Sequence, residues 1–269
     1  MAQTNDSVKV DDITVERLVS GISSVPSTIV EKRLILSLVD LTTLEGKDTD
    51  NQIIELCQKA VKAGVAAVCV YPGLVEVAKQ ELRNTSVKVA SVAGGFPSGQ
   101  LPLKLRLTEA CYAIEQGADE IDMVISRGKF LEGNYQSVFE EISAFKQVCG
   151  RHTLKVILET GELETLDNIR LASDIALKSG ADFIKTSTGK ISVNATLPAM
   201  CVMLQAIKDH YAVTGKKCGI KPSGGISDAS TAVKYIRLTE NVLGKEWLQP
   251  SLFRFGASRL VNHLLLEIK

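Results

Sequence analysis

Five apolar, β-rich segments of the sequence each carry an ionisable residue where charge is costly. Asp40 ends LILSLVD, Asp122 lies in EIDMVI, Lys155 in TLKVILE, Lys185 in FIKTS and Lys221 in GIKPS. Taken singly, each fits a solvated strand end or a buried ion pair. Five of them converging on one interior is a different matter, because unpaired charge there is prohibitive. Three lysines against two aspartates crowd ammonium groups together, and crowding with partial burial depresses the pKa of at least one of them. A lysine that is neutral near pH 7 attacks carbonyl carbon and forms a Schiff base. These residue types therefore point to imine chemistry on an aldehyde or ketone, without saying which lysine is attacked.

A second set suits phosphate. Gly189 follows FIKTS, Gly224 and Gly225 follow GIKPS, and Gly256-Ala257-Ser258 opens the last helical stretch. Each glycine alone is an ordinary turn residue. Grouped in the late loops, their backbone N–H groups would cradle an anion, as glycine turns and helix N-termini do. A phosphate-bearing substrate is expected.

The elements that must position these residues alternate. Strands are predicted at 34–40, 65–71, 88–94, 120–125, 153–159, 183–187, 219–223 and 252–256, with starts 23 to 36 residues apart. That spacing leaves room for one crossover helix each time, the mark of a parallel sheet. In TDNQIIELCQKAVKAG, Thr49 and Gln52 make a capping box, Ile53, Ile54, Cys57, Ala60 and Val61 an apolar face, and Gly64 a stop. Residues 102–117, 134–149 and LDNIRLASDIALKSG read the same way, with Gly117, Gly150 and Gly180 as stops. Eight such units predict an α/β protein, a single (β/α)8 TIM barrel at 33–269 behind a short N-terminal helical extension at 1–32. A doubly wound open sheet is the competitor. It lacks support, because VDLTTLEG stands where a G-x-G-x-x-G turn would follow the first strand.

A chain of 269 residues suits one such barrel, and 45% apolar residues supply its core. Basic and acidic residues balance at 31 each, so no global field attracts nucleic acid or an anionic membrane, and any anion site must be local. The opening MAQTNDSVKVDD has no apolar core of a secretory signal, and no apolar run is long enough to span a bilayer. Six cysteines without a CxxC pair sit in apolar patterns as buried thiols do, so a reduced, cytoplasmic protein is expected.

Seven stretches carry a resemblance to a known family: VDLTTL (39–44), AAVCVYP (66–72), GADEIDMVI (117–125), LKVILETGEL (154–163), GADFIKTSTGK (180–190), GIKPSGGI (219–226) and RFGAS (254–258). In order and spacing the chain resembles the deoxyribose-phosphate aldolases, class I enzymes. The resemblance implies reversible cleavage of 2-deoxy-D-ribose 5-phosphate to acetaldehyde and D-glyceraldehyde 3-phosphate, with no cofactor or metal and with a homodimer or higher homo-oligomer as the assembly. It assigns the imine to Lys185, the second lysine to Lys221 and the catalytic aspartate to Asp122. Lys155 and Asp40 fall on further active-site positions, and Gly189, Gly224, Gly225 and Ser258 on phosphate contacts, with Thr186 leading toward them. Cys69 matches a pocket position, although a small inward-facing core residue is the simpler reading.

Two departures stand out. Many members end in a tail with a terminal tyrosine that assists proton transfer, whereas this sequence ends LLLEIK and its last tyrosine is Tyr235. Arg259 stands where some relatives carry a second serine; its guanidinium either binds phosphate or faces solvent. A metal-dependent aldolase would need converging ligands, but His152, His210 and His263 lie before a strand or on helical segments. A transaldolase-like Schiff-base enzyme would not require both IKTSTG and KPSGG. A silent phosphosugar-binding protein would not need Lys185, Lys221 and Asp122 all intact.

Overall fold

The computed structural model describes residues 9–23 and 25–268; the opening residues 1–8 fall outside it. Eight strands alternate with helices: β1 Val39–Thr42, β2 Ala67–Val70, β3 Lys88–Ala93, β4 Glu120–Val124, β5 Thr153–Ile157, β6 Phe183–Lys185, β7 Gly219–Lys221 and β8 Phe255–Ala257. All seven ladders are parallel, in the order β7-β6-β5-β4-β3-β2-β1-β8. Parallel bridges from Ile220 to Phe253 and from Ser223 to Gly256 bring the two ends of that order together. The result is the (β/α)8 barrel that the spacing predicts.

The helices start and stop where the sequence supplies caps. Thr49 accepts from the Gln52 amide, while the Gln52 side chain accepts from the Thr49 amide, and this box opens helix Asp50–Ala63. Gly64 closes it at φ 66°, a left-handed conformation that costs glycine nothing. Leu103–Glu115, Tyr135–Cys149 and Leu166–Lys178 occupy the other three predicted helical stretches. Their apolar faces, with the outward side chains of the strands, form one continuous core.

The first strand departs from expectation. Leu34–Ser37, predicted as the start of a strand at 34–40, belong to helix Ile29–Ser37, and β1 begins only at Val39. The cause is local. Thr28 Oγ1 accepts from the Glu31 amide at 3.1 Å and Glu31 Oε2 accepts from the Thr28 amide at 2.8 Å. This capping box nucleates a helix through the apolar LILS run. Arg237 fastens the segment by donating to Glu31 Oε1 at 3.0 Å and to the carbonyls of Ser23 and Val25 at 2.9 and 2.7 Å. Residue 32, the expected end of the N-terminal extension, therefore falls inside a helix. A further helix, Asp12–Ser20, packs on Leu197–Thr214 outside the barrel. At the other strands five starts coincide with prediction and the remaining bounds differ by one to three residues, the 252–256 stretch most of all.

Candidate active site

Strand register decides which charges meet. Asp122 of β4 is opposite Lys155 of β5, and Lys185 of β6 is opposite Lys221 of β7. Side chains alternate between the two faces of a strand, and in a barrel one face is the interior. Asp40, Asp122, Lys155 and Lys221 are completely buried there, and Lys185 is 3% exposed.

Asp122 is the hub. Its Oδ2 accepts from Lys185 Nζ at 2.8 Å and from Lys221 Nζ at 2.7 Å, and its Oδ1 accepts from Lys155 Nζ at 2.9 Å. Lys221 also donates to Asp40 Oδ2 at 2.5 Å. The five residues singled out in the sequence thus form one contact network. Two more belong to it that the sequence reading passed over. Glu120 accepts from Lys155, and Arg254 donates to Asp40 Oδ1 at 2.6 Å and to Glu120 Oε1 at 2.8 Å. The signal for Glu120 was available: it precedes Asp122 by two positions in EIDMV, which puts both on the same face of a strand.

The cluster holds four cations (Lys155, Lys185, Lys221, Arg254) against three carboxylates (Asp40, Glu120, Asp122). Loss of one proton makes it neutral, and the local fields select which. Burial pushes the Lys185 ammonium below the ordinary lysine value; Asp122 opposes this and the Lys221 charge adds to it. Burial acts on Lys221 and Lys155 in the same sense, but there it is outweighed. Asp122 and Asp40 hold Lys221 above its ordinary value, and Asp122 with Glu120 does so for Lys155. Burial works against both aspartates, yet Lys155, Lys185 and Lys221 keep Asp122, and Lys221 with Arg254 keep Asp40, well below the usual carboxylate range. Lys185, hydrogen-bonded to one carboxylate against two for each of the others, is the one lysine of the three whose pKa is lowered.

Lys185 is also the lysine of the three that opens to space. It lines a cavity of about 400 Å³ at the carboxyl ends of the strands, together with Gly189, Gly224, Gly225, Ser258 and Arg259. The four expected phosphate contacts therefore share one cavity with the depressed lysine. Gly224 and Gly225 both have φ of 80°, which turns the backbone sharply after β7. A Cβ on Gly224 would lie 2.4 Å from Asn194 Oδ1, so the turn is also sterically reserved for glycine. Arg259 is exposed on the cavity wall beside Ser258. Lys190, not singled out beforehand, reaches across the mouth to Glu45 at 2.8 Å.

Other expected residues stand elsewhere. Thr186 is buried and does not line the cavity; its hydroxyl accepts from the Ser223 amide at 2.9 Å and so ties the β6 end to the glycine turn. Cys69 does not line the cavity; it packs in a small apolar group with Leu44, Ala90 and Val92, and burial raises its thiol pKa. Tyr235 is buried and donates to the Ala195 carbonyl at 3.0 Å, and burial lifts its pKa to about 12. Glu159, unmarked in the sequence reading, holds the loop above Lys185. It accepts from the Thr188 amide at 3.0 Å and hydroxyl at 2.6 Å, with φ at 58°. His210 and His263 lie on helices and His152 in a bend before β5.

The profile of the DeoC/LacD family aldolases matches residues 34–238. Human deoxyribose-phosphate aldolase is 47% identical over 251 residues, covering 87% of this chain and 79% of its own, and the bovine enzyme is equally similar over the same shares. A crystal structure from Coccidioides immitis, provisionally assigned as a deoxyribose-phosphate aldolase, superposes with a TM-score of 0.77 at 31% identity, covering 94% of this chain and 97% of that one. The Schiff-base mechanism is general to this family, and in this chain the buried, cavity-facing Lys185 stands in the stretch IKTSTGK. The chain belongs to the DeoC/LacD aldolase family.

Proposed function

We propose that this aldolase reversibly cleaves 2-deoxy-D-ribose 5-phosphate to acetaldehyde and D-glyceraldehyde 3-phosphate through a Schiff base on Lys185. The observation that carries the reading is the position of Lys185. It is buried, held below the ordinary lysine pKa by that burial, and the one lysine of the cluster on the wall of a glycine-lined cavity.

In the proposed order, the neutral Lys185 amine attacks the substrate aldehyde carbon, and loss of water from the carbinolamine leaves a cationic iminium. The C2–C3 bond then breaks, its electron pair moving onto the iminium nitrogen through an enamine. Asp122, with Lys221 and through water, takes the C3 hydroxyl proton as D-glyceraldehyde 3-phosphate forms, and returns a proton to C2 of the enamine. Water hydrolyses the resulting iminium, which releases acetaldehyde and restores the amine. Lys155 holds Asp122 ionised and oriented, and Asp40 holds Lys221 in its charged form. Gly189, Gly224, Gly225 and Ser258 receive the phosphate, whose remote binding energy aligns the aldehyde with Lys185.

Borohydride trapping with acetaldehyde, followed by peptide mass mapping, tests this directly. A reduced two-carbon adduct on Lys185 is expected. An adduct on Lys221 alone would reverse the roles of the two lysines, and no adduct on folded protein would favour a silent phosphosugar-binding protein.

Residues 33–269 act as one catalytic unit behind the N-terminal extension at 1–32, and the enzyme serves cytoplasmic deoxyribose phosphate catabolism. The six free cysteines support that setting. A homodimer or higher homo-oligomer through outer helices is supported by exposed Leu103, Leu105 and Tyr112 on helix Leu103–Glu115, and sedimentation velocity at graded concentration checks it.

A further inference from the structure

Glu120 and Arg254 lie beneath the reacting groups and touch no part of the cavity in which the substrate would bind. They line instead a recess of about 550 Å³ at the opposite, amino-terminal mouth of the barrel, with Ser37, Lys88 and Thr153. Their exposure is only 4% and 5%. Barrel interiors at this level are ordinarily filled by branched apolar side chains. A buried ion pair is often no more stabilising than such packing, so stability alone does not account for this one. What distinguishes the pair is its connections. Arg254 reaches Asp40 of β1 through Nη1 and Glu120 of β4 through both Nη1 and Nη2. Glu120 accepts from Lys155, which in turn holds the other oxygen of the Asp122 carboxylate that Lys185 contacts.

We infer that Glu120 and Arg254 are a positioning pair that sets the net charge around the reacting amine, and with it the pH at which Lys185 is free to attack. This rests on Lys185 as the imine-forming residue. The charged and titratable groups around Lys185 are Asp122 from β4, Lys221 from β7, Cys69 from β2, Asp40 from β1 and Lys155 from β5, with Glu120 and Arg254 one layer further down. With all seven charged members ionised, the cluster carries one excess positive charge, which neutral Lys185 removes. Removing Arg254 alone cancels that excess and lets Lys185 keep its proton to higher pH. Removing Glu120 alone doubles it and drives the proton off at lower pH. Removing both leaves the total unchanged.

The test is the pH dependence of borohydride trapping at Lys185 and of kcat/KM for cleavage, in Arg254→Gln, Glu120→Gln, the double variant and Arg254→Lys. The acid limb is expected to move to higher pH in Arg254→Gln and to lower pH in Glu120→Gln. It should return toward the parent position in the double variant and stay near it in Arg254→Lys. A purely structural pair would lower activity in every variant without opposite displacements, and that result overturns the inference. So does a shift in Arg254→Lys as large as in Arg254→Gln. Where Arg254→Gln does not fold, Glu120→Gln against the double variant carries the test through the downward shift and its reversal. Absence of any Lys185 adduct in the unsubstituted enzyme would instead remove the imine reading itself.

Discussion

Lys221→Met is the substitution whose consequence follows most directly from distances. The Nζ atoms of Lys185 and Lys221 lie 2.8 and 2.7 Å from the same Asp122 oxygen, so they are within about 5.5 Å of each other. Two unit charges at that separation interact by about 3 kcal/mol at the effective dielectric near 20 that suits protein interiors. Both side chains are buried, so solvent removes little of this. Methionine has nearly the length of lysine without its charge. Its introduction raises the ratio of ammonium to amine at Lys185 by roughly a hundredfold. The vacated Asp122 oxygen then holds the Lys185 proton more firmly, in the same direction. At neutral pH, kcat/KM is expected to fall at least about a hundredfold, and a large part of the loss should return as pH is raised toward about 10. Initial rates of aldehyde release across that range, with trapping at Lys185 as the second readout, make the measurement. A loss of equal size at every pH would mean that Lys221 acts by another route, as a proton donor alone. Unchanged rates would refute the electrostatic coupling altogether.

Three further outcomes are expected. Gly224→Ala places a Cβ 2.4 Å from Asn194 Oδ1 at φ 80°; KM for the phosphorylated substrate should rise about tenfold or more, while kcat on unphosphorylated 2-deoxyribose changes little. Gly256→Ala brings a methyl group 2.7 Å from Ser223 Cβ and 3.2 Å from Lys221 Cε. Overpacking of about 1–3 kcal/mol should lower Tm by about 2–10 °C and depress kcat, as read by calorimetry and steady-state kinetics. Asp40 and Asp122 have depressed folded pKa values, so their contribution to stability is complete above the unfolded carboxylate value near 4 and is lost as pH falls below it. The difference in denaturant midpoint between the parent and Asp40→Asn should be level from about pH 5 upward and shrink in acid.

The barrel was legible because each unit repeats the same physical events: a short buried β-rich run, a cap, an amphipathic turn of chain and a glycine stop. The exception is instructive. LILS looks like a strand by composition, but Thr28 and Glu31 had already committed the chain to a helix, and a short apolar run cannot resist a capping box that precedes it. The cluster was legible as far as single misplaced charges go: Asp40, Asp122, Lys155, Lys185 and Lys221 interrupt apolar runs. Glu120 escaped notice because it stands at a strand start, where charge is ordinary, whereas Arg254 interrupts the apolar run LFRFG much as the other five interrupt theirs, so its signal was there. Only the period of two in β4 and the return of the chain beside β1 bring them inside. Thr186 shows the opposite error. Its place between Lys185 and Gly189 suggests contact with the ligand, but its hydroxyl is spent on the Ser223 backbone.

The charge balance bears on more than the first step of the proposed reaction. Surroundings that lower the Lys185 pKa also disfavour any other cation at that nitrogen, including the iminium. The iminium is therefore formed in a site that holds an excess positive charge, with one Asp122 oxygen 2.8 Å away, shared with Lys221, as its nearest compensation. Cleavage of the C2–C3 bond turns that cation into a neutral enamine and returns the cluster to balance. Free amine and enamine, the states on either side of the iminium, are both neutral at nitrogen and both match the surrounding fields. Lys155 and Lys221, each held by two carboxylates, keep their protons throughout and hold Asp122 ionised for the transfer from the C3 hydroxyl. The arrangement thus raises the iminium relative to its neighbours in the sequence, which shortens the climb to bond cleavage in the retro-aldol direction. In the synthetic direction the same fields keep the enamine, and not the protonated imine of acetaldehyde, as the species that waits for the second aldehyde.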